Sequence, residues 1–406
     1  MNAIPASVII VSRHRTQALL RCLTGLAQSD HPQFEVIVVA DPAACVAVRA
    51  AGWTVKIAEY DVANISGARN IGLGMASAPV VAFVDDDAVP EPTWLGRLTA
   101  PFADNQVVQA GGFVRGRNGI SFQWKAVLVN AEGVDHPLKV DAAAVSLHSG
   151  SKQYAVKTQG TNCAFRRDTL LAAGGFDESL WFYLDEADVN LRLAGQGLTA
   201  VVPLAQVHHG FEASARRRGD RVPTSLHEIG ASTAVFLRRH TAVGRHDAVL
   251  ARLRDEQRAR LLRLMVAGLI EPRDVRRMLA TLDAGIADGA QRALAPMAAL
   301  AKTATAFLAL PGTGPRAGRV IAGTIWQRAA LLAKARAAAA AGDVVTVFVF
   351  SRSAVYHRHS FQAEGFWLQS GGVYGKAERH EPLFRRWGIT ARIALEARRL
   401  AALRPL

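Results

Sequence analysis

The sequence predicts an α/β protein: a doubly wound sheet with a ligand-binding half, followed by a mainly helical basic extension and a small aromatic-rich segment. Three observations carry this. Short apolar runs alternate with helical patterns through the first 240 residues, the order that builds a parallel sheet. One run, Val80-Val81-Ala82-Phe83-Val84, is too continuous for a strand with one wet face, and it passes directly into Asp85, Asp86 and Asp87. Charge is also divided along the chain. Residues 1–190 carry 15 Lys and Arg against 19 Asp and Glu, net −4, whereas residues 191–406 carry 33 against 15, net +18. The expected units are 1–240, 241–340 and 341–406.

The elements follow in order. Residues 4–11 form a strand leading into Ser12-Arg13-His14-Arg15, and residues 16–28 place apolar side chains at helical spacing. A second strand, 34–40, ends at Asp41-Pro42, and 53–57 reads as a short third. Residues 65–76 are a helix of small residues suited to close packing on a sheet, and Ser77-Ala78-Pro79 breaks the chain before the strand at 80. A new helix opens at Pro90-Glu91-Pro92-Thr93-Trp94-Leu95, and 107–114 is a further strand. Residues 115–157 are polar and loop-rich, a long connection of the kind that carries binding groups. A strand at 198–202 precedes His208-His209, a helix covers 229–240, and 241–340 has helical periodicity rich in Ala, Arg and Leu. In the tail, 344–350 is an apolar β-type run, followed by dense aromatic, His, Arg and Gly residues. These suit either an acceptor pocket or a small β-rich cap.

In open α/β sheets, ligands bind beyond the carboxyl ends of the strands, where the Asp triplet falls. Three adjacent carboxylates repel one another, and a divalent cation relieves that repulsion; a solvated acidic turn is the other reading. Asp185, Glu186 and Asp188 form a second acidic cluster, and acids at a helix N-terminus also stabilise it through the dipole.

Composition narrows the classes. Half the residues are hydrophobic, enough for a sizeable core. No apolar run reaches the roughly 18–20 residues of a membrane span. Cys22, Cys45 and Cys163 lie far apart without metal-ligand spacing, and the chain enters a strand at once, so a cytoplasmic protein without a signal peptide is expected. The basic half can attract an anionic membrane surface at the inner face, a phosphorylated substrate or nucleic acid, or form a solvated Arg-rich surface. It contains no recognised nucleic-acid motif, so none is expected as a partner.

Arg69-Asn70-Ile71-Gly72, the small-residue helix, the apolar strand, the Asp triplet and Pro92-Thr93-Trp94-Leu95 occur in one order. So do Gly160-Thr161-Asn162-Cys163-Ala164-Phe165-Arg166-Arg167, Gly174-Gly175-Phe176-Asp177 and Asp185-Glu186-Ala187-Asp188. Together these resemble the family 2 glycosyltransferases, enzymes of the GT-A fold with a mixed sheet, over about residues 4–240.

The resemblance implies metal-dependent, inverting transfer of a sugar from a nucleotide-diphosphate sugar to a hydroxyl of a saccharide or lipid-linked acceptor, in surface polysaccharide or glycolipid synthesis. It implies Asp41, Arg69, Asp85 and Asp86 toward the nucleotide, with Asp86 pointing the other way from its neighbours; Arg13 and Arg15, where the sequence departs from the family, suit a diphosphate or an exposed surface. It implies Asp85, Asp87 and His209 around Mn²⁺ or Mg²⁺, with His208 as the other candidate. Glu186 matches the catalytic base, but its order with Asp185 is inverted relative to the family's Glu-Asp, so Asp185 is the alternative. Arg216-Arg217-Arg218, in the stretch 214–221, suit either a phosphate clamp or the start of the basic helical region. Ser12-Arg13-His14-Arg15 stands where the family has Pro-Thr-Tyr-Asn, so the resemblance leaves the base open. The rival reading is a non-catalytic protein of this fold that binds membrane or nucleic acid through its basic half; intact carboxylates at both clusters argue against it.

Overall fold

The computed structural model describes residues 3–151, 153–210, 216–302 and 305–406. The N-terminal half is β1 (Ala6–Ser12), α1 (Thr16–Leu26), β2 (Phe34–Ala40), α2 (Pro42–Ala50), β3 (Lys56–Glu59), α3 (Ile65–Met75), β4 (Val80–Asp85), β5 (Ala88–Pro90), α4 (Trp94–Thr99) and β6 (Val107–Arg115). Short strands follow: β7 (Phe122–Trp124), β8 (Val127–Asn130), β9 (Asp135–Pro137), β10 (Ser146–Ser149), β11 (Tyr154–Lys157) and β12 (Cys163–Arg166). Then come α5 (Arg167–Ala172), α6 (Asp185–Leu193) and β13 (Leu198–His209).

The main sheet runs β10-β13-β6-β12-β4-β1-β2-β3, with β5 paired to β13 and β7 to β6. Strands β3, β2, β1 and β4 are parallel, and β12 runs antiparallel between β4 and β6. The expected mixed α/β sheet is the one observed. Its apolar runs are continuous because both faces are covered. Val8 and Ile10 pack with Leu19, Leu23 and Trp94 on one side, while Ile9, Val81 and Phe83 pack with Leu73 and Leu170 on the other. Helix α3 approaches closely through Gly72, where an added Cβ would sit 2.5 Å from Ile9 Cγ2.

Strand β13 continues past the expected end at 202. Its pairing with β6 shifts between Val202 and Gln206, so Pro203, which has no N–H for the ladder, is absorbed in an irregularity. The loop-rich stretch after β6 is also more ordered than its composition suggests, with β11-β8-β9 forming a three-stranded sheet.

The helical expectation for 241–340 holds in part. Helix α7 (His227–His240) packs on α9 (Pro272–Gln291), and α8 (His246–Val266) lies between them in sequence. However, β14 (Gly318–Thr324) precedes α10 (Arg328–Ala340) and pairs in parallel with β15 (Val344–Ser351). With β16 (Arg358–Phe361) and β17 (Phe366–Gly372) they form a sheet β14-β15-β17-β16, followed by α11 (Ile389–Leu400). Strand β14 is a largely exposed edge with Gly at both ends of its apolar part, which removes the sequence signal. Among the described residues no helix is long and apolar enough to cross a membrane.

Candidate functional site

A cleft of about 860 Å³ opens where β1 and β4 end. After β1 the chain turns through His14, whose φ of 58° is unusual outside glycine. This turn aims the His14 amide at Asp41 Oδ2, 2.7 Å away. Asp41 also caps α2 by accepting from the Ala44 amide at 3.2 Å. Burial pushes its carboxyl up, but the two amides hold it below its usual range.

The three carboxylates after β4 are sorted by direction. Asp86 is fully buried, accepts from Ser12 Oγ at 2.6 Å and pairs with Arg15 at 2.6 Å. Burial pushes it up to about 7 in spite of Arg15. Asp87 meets Arg15 at 3.3 Å through Oδ2 and His209 Nε2 at 3.1 Å through Oδ1. The Asp85 side chain stays 28% exposed, with Oδ1 3.6 Å from Arg69. Asp85 and Asp87 line the cleft; Asp86 does not.

The β5–β13 ladder sets His209 opposite Ala88, beside Asp87. Its Nδ1 lies 3.0 Å from Gln123 Oε1 on β7, which leaves Nε2 toward the acids. Burial lowers the imidazole's pKa, but Asp87 and Asp85 more than reverse this, so it is raised. One ligand atom each from Asp85, Asp87 and His209 lies within 4.8 Å of the other two. Two carboxylates and one imidazole fit Mn²⁺; Mg²⁺ would rely on the carboxylates and on phosphate oxygens. His208, one residue earlier, faces the opposite side, with Nε2 2.7 Å from Glu91 Oε1.

Arg69 joins the two acidic clusters. Buried on α3 and stacked on Phe176 at 5.1 Å, it pairs with Asp85 and with Asp185, the first residue of α6. Asp185 is 2% exposed and Glu186 is half-buried. Burial raises the Asp185 carboxyl well above its usual range, Arg69 opposes this, and a hydrogen bond with the Glu186 side chain adds to it. Asp188 turns away and binds His240 at 2.8 Å and Arg192 at 2.7 Å, tying α6 to α7.

Arg13 lines the cleft and pairs with Asp61 at 2.7 Å. Arg216 and Arg217 also line it, whereas Arg218 pairs with Asp220. Phe211 and Ser214, which belong to the stretches read from the sequence, lie outside the described residues. Arg15 as the partner of Asp86 and Asp87, and Gln123 as that of His209, carry no signal of those pairings in the sequence. Arg260 on α8 was equally hidden: it enters the cleft wall from the helical extension, one arginine among many at helical spacing.

The sheet thus gathers carboxylates, an imidazole and arginines around one cleft at the carboxyl ends of its central strands. Over residues 7–167 the chain matches the model for glycosyl transferase family 2. It is 28% identical over 231 residues to the O-antigen biosynthesis protein RfbC of Myxococcus xanthus, a match covering 53% of this chain and 18% of that protein. It is also similar to the crystal structure of GalNAc-T7 with UDP, GalNAc and Mn²⁺, at 14% identity and a TM-score of 0.45, covering 58% of this chain and 48% of that one. The chain thus spans less than half the length of either relative.

Proposed function

We propose that this chain is a metal-dependent, inverting glycosyltransferase, taking its sugar from a nucleotide-diphosphate donor and acting in polysaccharide or glycolipid synthesis. The observation that carries this reading is the meeting of Asp85, Asp87 and His209 at the wall of an arginine-lined cleft. The family match over residues 7–167 and the name of the O-antigen relative support it.

In this reading Asp85, Asp87 and His209 hold Mn²⁺ or Mg²⁺, which supplies a Lewis acid for the charge developing on the departing diphosphate. Arg15 keeps Asp87 turned toward His209, and Arg69 fixes Asp85 relative to α6. The acceptor oxygen bonds to the sugar's C1 while the C1–phosphate oxygen bond breaks, and the diphosphate leaves with the electron pair. Glu186, the more accessible acid of α6, takes the acceptor's hydroxyl proton. Asp185, locked to Arg69, acts as a positioning residue. Buried, free Cys22, Cys45 and Cys163 support a reducing, cytoplasmic setting, and the basic helices support peripheral contact with an anionic membrane.

The test is thermal unfolding of the protein with a panel of nucleoside diphosphates and nucleotide sugars, each with and without Mn²⁺. One nucleotide should raise the melting temperature strongly, and only with metal. No response to any nucleotide would sink the reading.

A further inference from the structure

Four residues beyond Asp87 the chain buries another carboxylate. Glu91 is 1% exposed. Its Oε1 faces His208 Nε2 at 2.7 Å, and both of its oxygens are taken by the guanidinium of Arg404, with Nε to Oε2 at 2.8 Å. Arg404 is itself 1% exposed and lies 313 residues away in sequence. It stacks over Trp367 of β17 at 3.8 Å, and its Nη1 is 3.3 Å from His359 Nε2 of β16. The backbone around it is docked too. Leu403 O accepts from Thr93 N and Oγ1 at 3.3 and 2.8 Å, and Ala402 O accepts from Arg97 at 2.6 Å.

On its other side Glu91 belongs to the metal-site scaffold. Its amide donates to Gln206 O of β13 at 3.0 Å, and the ladder just before it pairs Val207 with Pro90, His208 with Val89 and His209 with Ala88. The fork of Arg404 therefore grips a point three ladder positions from the pairing that sets His209 beside Asp87. A buried ion pair adds little net stability compared with apolar side chains of the same size, whereas a two-pronged Arg–carboxylate contact fixes direction and distance.

We propose that Arg404 is a positioning residue for the Asp85–Asp87–His209 site: by closing on Glu91, which in turn meets His208, it holds the β5–β13 ladder in register, which makes the module of residues 318–406 a working part of that site. The inference rests on the proposed metal-dependent function. It gives a role to the part of the chain that no family motif covers.

The test uses the full chain and Mn²⁺ alone, with affinity read by electron paramagnetic resonance of the free ion. The double variant Glu91→Leu/Arg404→Met replaces the ion pair by apolar groups of similar size. It should bind Mn²⁺ about tenfold more weakly, the scale seen when groups behind metal ligands are lost. Leu400→Ala, a core change in the same module that leaves Glu91 untouched, should lower the melting temperature without changing Mn²⁺ affinity. If the double variant does not fold, Arg404→Lys keeps the charge without the fork and gives the same reading. Unchanged Mn²⁺ affinity in the folded variant overturns the inference while leaving the metal site standing. Failure of the wild-type protein to bind Mn²⁺ at all, with Asp87→Ala behaving identically, removes the metal site and the inference together.

Discussion

Asp87 and Glu91 lie four residues apart, and each meets a histidine of β13, yet the two pairs are opposites. Glu91 and His208 are sealed: Arg404 occupies both carboxylate oxygens, and burial pushes the imidazole below its ordinary value. Asp87 and His209 border open space, share their surroundings with a partly exposed Asp85, and leave the imidazole raised. Alternation along one strand sends consecutive histidines to these two environments. The difference teaches that acid, histidine and arginine together do not mark a site. What separates the two pairs is the cleft, which Asp87 and His209 line and Glu91 and His208 do not.

Breaking the open cluster should cost most. Glu186→Gln should lower turnover by about 10²–10⁴-fold with nucleotide binding retained, the range for a lost general base. Asp185→Asn should do less in steady-state kinetics; the reverse order would exchange their roles. Asp87→Ala should reduce turnover by about 10²–10³-fold and abolish metal-dependent thermal stabilisation by nucleotide. A calorimetric titration that still showed metal-dependent binding would remove Asp87 from the ligand set.

The sealed pair should fail differently. Arg404→Met alone leaves Glu91 buried with His208 but without its guanidinium, and should cost roughly 3–5 kcal/mol in urea unfolding. Its pH dependence sharpens the point. Burial pushes Glu91 up, but Arg404 and His208 overcome this and hold it at about 2, against an ordinary 4.5. A carboxyl held down stabilises the fold above its unfolded value, and that contribution drains as pH falls from 4.5 toward 2. The double variant Glu91→Leu/Arg404→Met should therefore show a flatter urea midpoint across that window. The smallest effect expected is that of Arg260→Ala, which should weaken nucleotide binding about fivefold by removing one charge-assisted contact.

Much of this was legible in the sequence. Strands β1, β2 and β4 are apolar enough to declare two covered faces, and the break at Ser77-Ala78-Pro79 placed the Asp triplet at a sheet edge. What stayed hidden depends on partners far along the chain. Glu91 reads only as an acid at the opening of a helix until Arg404 is folded against it. Arg13 and Arg15 are indistinguishable in sequence, yet one reaches Asp61 and the other the Asp triplet. Strand β14 has too few buried side chains to show a period, because only one of its edges is paired. By contrast, alternation from Ala205 and Val207 already favours His209 over His208, and the pairing of β13 with β5 sets His209 beside Asp87.

The contact between Glu91 and Arg404 also sets a clock on biosynthesis. The ribosome must add 313 residues after Glu91 before its partner exists. At about 5–20 residues per second that interval is roughly 15–60 seconds. During it a nascent chain carries the Asp triplet with Glu91 still lacking the fork of Arg404. Any truncated or stalled product that ends before residue 404 would lack the same clamp on the start of α4, where Leu403 and Ala402 dock on Thr93 and Arg97.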